Sequence, residues 1–341
     1  MSTQTDTQGD YFQSNLPHYY RSTLQRFRKI SRAFVNFHLL FILLFAVQLA
    51  LFIACLPWLK QSATFAFALG VLFVTCFSYF VLLFYFQARK PEQLIELKEQ
   101  FLTSCRQLIS TPSGTAQHHL SIAEAFSKLS NYLEDFEWNF YKLPPFLQFL
   151  SPWISRFSAF CYWEDVFKIK QLLLSTSVDE HLKQIRTTPT DLEVHASLAN
   201  TYVSLAKLHR ESRRGSHHSR MERSRRFQFA LEERSQVYSR LAMEEFKILS
   251  QYAPNDPWVH EQLAAGFKDL NLPEEEVKEM EHILQLRPQD RDILFRLGKL
   301  YFQQGLNAKG LKVYEELQKA HYTRAGDLIS SYGAIAFKTE L

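Results

Sequence analysis

The sequence predicts an all-α protein: two transmembrane helices followed by an α-solenoid of helical hairpins. Three observations carry this expectation. Two long runs without a formal charge stand side by side near the N-terminus, separated only by Lys60. Further on, apolar residues recur at steps of three and four, the spacing of one helix face. The last third of the chain repeats itself with a period of 34 residues.

The apolar runs come first. Twenty-seven uncharged residues lie between Arg32 and Lys60, and 28 more between Lys60 and Arg89. A bilayer core takes roughly 20 apolar residues in a helix. This places the spans near 34–56 and 64–86. Two adjacent uncharged runs of this length do not suit the buried helices of a soluble core. A cleaved signal peptide fits no better, because some 30 mainly polar residues precede the first run. His38 and Gln48 are the notable polar side chains of the first run. No acid or base joins them, so hydrogen bonding across the hairpin, or a place near the interface, is expected rather than an ion path.

Orientation follows from charge. Arg21, Arg26, Arg28, Lys29 and Arg32 precede the first run, and Arg89, Lys90 and Lys98 follow the second. The connection from Pro57 to Ala63 carries only Lys60, with Trp58 as a candidate interface anchor. Positive flanks stay on the cytoplasmic side, so both termini are expected there.

Composition narrows the rest. The 341 residues leave room for more than one domain. A net charge of +4 does not suit a whole-molecule polyanion binder. Phe is abundant at 30 residues and Gly scarce at 10, which favours long helices over phosphate-binding loops. Cys55, Cys76, Cys105 and Cys161 form no CxxC, so neither a zinc site nor a disulfide framework is expected, and the compartment reads as reducing. Walker A, GxGxxG, GxSxG and HExxH patterns do not occur, and the neighbouring pairs His118-His119 and His217-His218 point apart on a helix. The chain is expected to be no enzyme and to hold no cofactor or metal.

The chain beyond the runs reads as helical from Pro91 on. Leu94, Leu97, Phe101, Leu102, Cys105 and Leu108 mark one face of a helix over 93–109. A second helix is expected from about His119 to Tyr141. Twelve aromatic residues then crowd the interval from Phe136 to Phe167, around Pro144-Pro145. They either fill a core between helices or bring Pro144–Trp153 to a membrane interface.

In the last third, Leu263-Ala264 lies 34 residues before Leu297-Gly298, Phe267 before Tyr301, Met280 before Tyr314, and Pro254 before Pro288. With Gly305 and Tyr314, this pattern resembles the tetratricopeptide repeat family. Each repeat there is a pair of antiparallel helices, with a small residue where the helices cross closely and an aromatic one turn on. The copies diverge: Glu276 and Gly310 stand where the family has Ala. The stack is expected to end in a capping helix over 325–337. An earlier copy looks stretched. Leu198-Ala199 and Tyr202 match the first helix, while Ala242, Phe246, Leu249 and Pro254 match the second, with about 30 extra residues between them. That insertion, about 210–226, carries Arg210, Arg213, Arg214, Arg220, Arg223, Arg225 and Arg226 and reads as an extended helical hairpin or a disordered loop. It is either a solvated insertion or a basic patch for anionic headgroups or an acidic partner. No aromatics interleave with the arginines, so nucleic acid is not expected.

The domain division that follows is a polar, basic tail at 1–32, a transmembrane hairpin at 33–88, a connector at 89–155 and the repeats at 156–341. By the resemblance, a partner-binding groove would be lined by Asn200, Val203, Trp258, Glu261, Lys268, Phe295, Lys299 and Phe302. Family members that bind chaperone tails clamp a carboxylate with Lys and Asn. Asn200 suits that clamp, but Ala196 and Ala265 occupy its other positions, so an apolar or helical protein segment is the expected partner. The expected function is a membrane-anchored scaffold or adaptor that holds protein partners at a cytoplasmic membrane face. In layout it is similar to bacterial inner-membrane proteins with two N-terminal spans and cytosolic repeats. A membrane-shaping hairpin like that of inclusion membrane proteins, and an accessory subunit of a transporter or channel, are the alternatives.

Overall fold

The computed structural model describes residues 2–55, 62–109, 111–138, 140–141, 148, 151–215 and 225–332, with 2–15, 62, 212–215 and 225–226 in backbone only. All regular structure among these residues is helical: α1 Ser2–Cys55, α2 Ser62–Leu108, α3 Ala116–Tyr132, α4 Ser151–Thr187, α5 Leu192–Gly215, α6 Arg225–Tyr252, α7 Pro257–Asp269, α8 Pro273–Leu286, α9 Arg291–Gln303, α10 Asn307–Lys319 and α11 Ala325–Ile329. The chain divides into two compact units, Met1–Glu180 and His181–Leu341.

In the first unit, α1 and α2 are long and apolar enough to cross a membrane. Their apolar side chains face outward, among them Leu40, Leu43, Phe67, Phe73 and Phe84. At a rise of 1.5 Å per residue, the 54 residues of α1 extend for about 80 Å, well beyond a hydrocarbon core of about 30 Å. Both helices therefore continue past their apolar runs. The helix expected over 93–109 is the continuation of α2, which passes through Pro91 without a break. Residues 16–35, read from sequence as part of a polar tail and the start of the first span, are the continuation of α1. Leu16, Tyr20, Phe27 and Val35 from this stretch are buried in the unit's core.

That core is a meeting of four helices. Leu94, Leu97, Phe101 and Cys105 of α2 face Ile122, Phe126 and Leu129 of α3 and Tyr162, Val166, Ile169 and Leu173 of α4. Each set steps by three or four, so each helix turns one stripe inward. Thr115 caps α3, its hydroxyl accepting from the His118 amide. The helix ends at Tyr132, short of the expected Tyr141, and the chain turns through Asp135 at φ 54°. His38 pairs with the Tyr79 hydroxyl at 2.9 Å and so links the two apolar helices. Trp58, Lys60 and the Pro144–Phe146 segment lie outside the described residues.

The second unit is built from neighbours in chain order, each helix from α5 to α10 packing on the next and α11 closing on α9 and α10. Its sharp turns recur with the sequence period. Asp256 and Asp290, 34 apart, cap α7 and α9, Asp256 accepting from the Trp258 amide and Asp290 from the Asp292 and Ile293 amides. Asn271 and Gly305, again 34 apart, take left-handed backbone after α7 and α9. There the Leu272 amide donates to the Phe267 carbonyl and the Leu306 amide to the Tyr301 carbonyl. Gly298 lets α9 approach closely: a Cβ there would stand 2.7 Å from Val313 and 2.9 Å from Leu328. In the interval 325–337, where a capping helix was expected, α11 runs from Ala325 to Ile329, and residues beyond 332 lie outside the described set.

The Arg-rich insertion is flanked by helix, not loop. α5 and α6 run antiparallel, with His195 opposite Glu245, Tyr202 stacked on Tyr238, and the Ser235 hydroxyl donating to the Ala206 carbonyl. Partners rise in number on α5 as they fall on α6. Residues 216–224, which include Arg220 and Arg223, lie outside the described residues.

Candidate functional site

The second unit carries a groove of about 920 Å³. Its walls come from the end of α7 (Lys268, Asn271), the start of α8 (Pro273, Glu274, Glu276), one side of α9 (Phe295, Arg296, Lys299, Gln303) and Arg324 before α11. The three-residue turns after α7 and α9, each with a left-handed residue, contribute Asn271, Leu272, Gln304 and Leu306 to its lining.

Four cations line this groove against three carboxylates, Glu274, Glu276 and Asp292. Glu276 is buried in the wall; burial raises its pKa, opposed by the charges of Lys268 and Arg296. Asp292 accepts from the Tyr322 hydroxyl at 2.5 Å. Lys268, Arg296, Lys299 and Arg324 remain as the exposed cations. Apolar surface is interleaved with them, from Leu272, Leu300 and Leu306. The arrangement suits an extended or helical segment that presents acidic side chains and a few apolar ones.

Of the groove residues expected from sequence, three come together here: Lys268, Phe295 and Lys299. Phe295 is largely covered, with the Arg324 guanidinium 4.6 Å above its ring and Tyr322 at 5.8 Å. Phe302 is no surface residue at 1% exposure. Its ring fills the space that a side chain at Gly310 would occupy, as a Cβ there would stand 2.5 Å from it. Trp258 packs edge-on against Phe246, and Glu261 pairs with Arg287 at 3.0 Å. Asn200 and Val203 are exposed on α5. None of these four lines the groove.

The expected basic patch changes at its first member. Arg210 grips both carboxylate oxygens of Asp269, with Nη2 donating to Oδ2 at 2.6 Å, and so joins α5 to α7. This hydrogen bonding raises the guanidinium pKa and commits the charge to the fold. Arg213 and Arg214 lie on the last turn of α5, and Arg225 and Arg226 on the first turn of α6.

A histidine arrangement escaped the sequence reading. His195 Nδ1 stands 2.6 Å from Glu245 Oε2, and its Nε2 stands 3.0 Å from the Pro189 carbonyl. His260 repeats this with Glu279 at 2.7 Å and the Pro254 carbonyl at 2.8 Å. The available signal was a histidine six residues after a proline, at Pro189–His195 and Pro254–His260, a spacing that Pro112–His118 shares without the same contacts. No group of three or more His, Cys, Asp or Glu among the described residues is arranged to hold a metal ion.

No family model matches this sequence, and no curated protein matches it.

Proposed function

We propose that the chain is a membrane-anchored adaptor that recruits a protein partner through the α7–α9 groove, by binding rather than turnover. In this reading α1 and α2 cross the membrane as a hairpin with both termini cytoplasmic, in the manner of a bacterial inner-membrane protein. The helices α5 to α11 form an α-solenoid of tetratricopeptide-like hairpins. The arginines at 213–226 meet anionic headgroups.

The observation that carries the proposal is the groove's lining of four exposed cations, Lys268, Arg296, Lys299 and Arg324, against three carboxylates, of which Glu276 is buried. Recurrence of caps and left-handed turns at 34 residues supports the repeat reading. The outward apolar faces of α1 and α2 support the anchor, because such surface is stable against lipid and not against water.

A photo-crosslinking residue at Gln303 in the groove, with a control at Glu316 on α10, tests the proposal in native membranes. Crosslinks are expected from 303 alone, and Lys268→Glu with Lys299→Glu should abolish them. Crosslinks that persist unchanged in the charge-reversed chain would remove the groove from the account.

A further inference from the structure

We infer that the first three turns of α4 are a third membrane contact, with Trp153, Phe157 and Phe160 seated in the lipid leaflet beside the two spans. This rests on the reading of α1 and α2 as spans. Three observations within the first unit lead to it.

The first is the course of α4. Its far part, Ile169 and Leu173, packs at the level of Leu24 and Phe27 of α1 and Leu97 of α2. Moving back along α4, Asp165 meets Lys90 of α2 at 2.5 Å, and Lys90 in turn stands 4.1 Å over the Phe34 ring of α1. Tyr162 stacks at 3.7 Å on Phe140, whose carbonyl faces Arg32. From Leu173 to Tyr162, then, α4 advances with α1 from residue 24 to 32 and with α2 from 97 back to 90. That direction is toward the apolar runs. Trp153 precedes Asp165 by twelve residues, about 18 Å of helix.

The second is a change along one exposed strip of α4. At steps of four, three, four and four it reads Trp153, Phe157, Phe160, Glu164, Lys168. The aromatic residues are 72%, 43% and 48% exposed. Glu164 and Lys168, also exposed, pair with each other at 2.6 Å. The strip turns from aromatic to charged as α4 passes Lys90, and α2 makes the same change, from Phe84 and Tyr85 to Arg89 and Lys90. Two helices changing character at one level mark a boundary plane.

The third is charge. Between Ser151 and Trp163 the only charged residue is Arg156. Trp and Phe are favoured at the headgroup boundary, and one Arg there can reach the phosphates. Continuity with the outward apolar faces of α1 and α2 makes lipid the occupant.

Brominated acyl chains, which quench Trp on contact, provide the test. The full chain keeping only Trp153, with the other four tryptophans changed to Phe, is reconstituted in phosphatidylcholine vesicles with and without bromine. A parallel chain carries its only Trp at Phe77, on an exposed face of α2. Both are expected to emit at short wavelength and to lose most of their intensity in brominated lipid. Quenching at 77 with none at 153 overturns this inference and leaves the spans in place. No quenching at either position overturns the spans themselves. Short-wavelength emission from Trp153 that resists bromine and depends on protein density in the vesicle means a second copy covers the face, which also overturns it. If the four-fold variant fails to fold, Trp153→Phe in the otherwise unchanged chain serves, and it should lower the bromine-sensitive part of the emission.

Discussion

His195 is held between Glu245 and the carbonyl of Pro189, so both ring nitrogens face acceptors. A neutral imidazole has one N–H and would satisfy only one of them. Burial opposes the charge, but the hydrogen bonds to Glu245 and Pro189 and the Glu245 charge outweigh it, and the His195 pKa is raised. Because the folded pKa is the higher one, the stabilisation is fully present below the unfolded value of about 6.5 and is lost as pH rises through the folded pKa. The second unit should therefore melt at a lower temperature at pH 8 than at pH 6. In His195→Leu this pH dependence should shrink, with a general loss of about 1–3 kcal/mol from the acceptors left unpaired. Thermal melts followed by circular dichroism across that range read both effects.

Gly298 sits where α9 meets α10 and α11. Alanine is the better helix former by about 1 kcal/mol, yet its Cβ would press on Val313 at 2.7 Å and on Leu328 at 2.9 Å. Val313 is β-branched and has little room to turn away. Gly298→Ala should destabilise by about 1–2 kcal/mol net. Adding Val313→Ala should recover part of that loss although it removes buried surface by itself, and a double-mutant cycle on unfolding free energies measures the coupling.

The uncharged runs and the 34-residue period were legible because side-chain identity carries them directly. Lys60 alone divides the runs, and Asp256 with Asp290 or Asn271 with Gly305 are local turn chemistry. What stayed hidden depends on distant neighbours. Leu16, Tyr20, Leu24 and Phe27 are helically spaced, but arginines between them dilute the stripe until α3 and α4 are seen to cover it. The repeat resemblance put Phe302 among the groove residues, but its ring lies inside, in the space left by the missing side chain of Gly310. The aromatic crowd from Phe136 to Phe167 proved to be of two kinds. Phe140 and Tyr162 are core, whereas Trp138, Trp153, Phe157 and Phe160 are exposed.

Arg210 looked like one member of a basic cluster, and its partner Asp269 lies 59 residues further on. The pair is about two-thirds buried on both sides, so its contribution to stability should be modest, about 0.5–1 kcal/mol. Arg210→Ala should lower stability by about that much and leave binding to anionic vesicles unchanged. Arg213→Ala with Arg214→Ala should do the reverse. The swapped pair Arg210→Asp with Asp269→Arg should regain most of the lost stability, as read by chemical denaturation.

Lys90 and Asp165 form an ion pair of the first unit in which the carboxylate is almost wholly buried. Burial raises the Asp165 pKa, and Lys90 opposes that rise. Removing one member strands the other. Lys90→Met would leave a buried carboxylate without its cation, a loss of about 3–5 kcal/mol. Asp165→Leu would leave Lys90 over the Phe34 ring with some access to solvent, so its effect should be smaller. Replacing both together removes the desolvated charges and should restore much of the stability. Melting of the three variants in detergent micelles should rank Lys90→Met lowest. A double variant no better than Lys90→Met would show that the pair acts through packing of the Lys90 stem against Phe34 and not through charge.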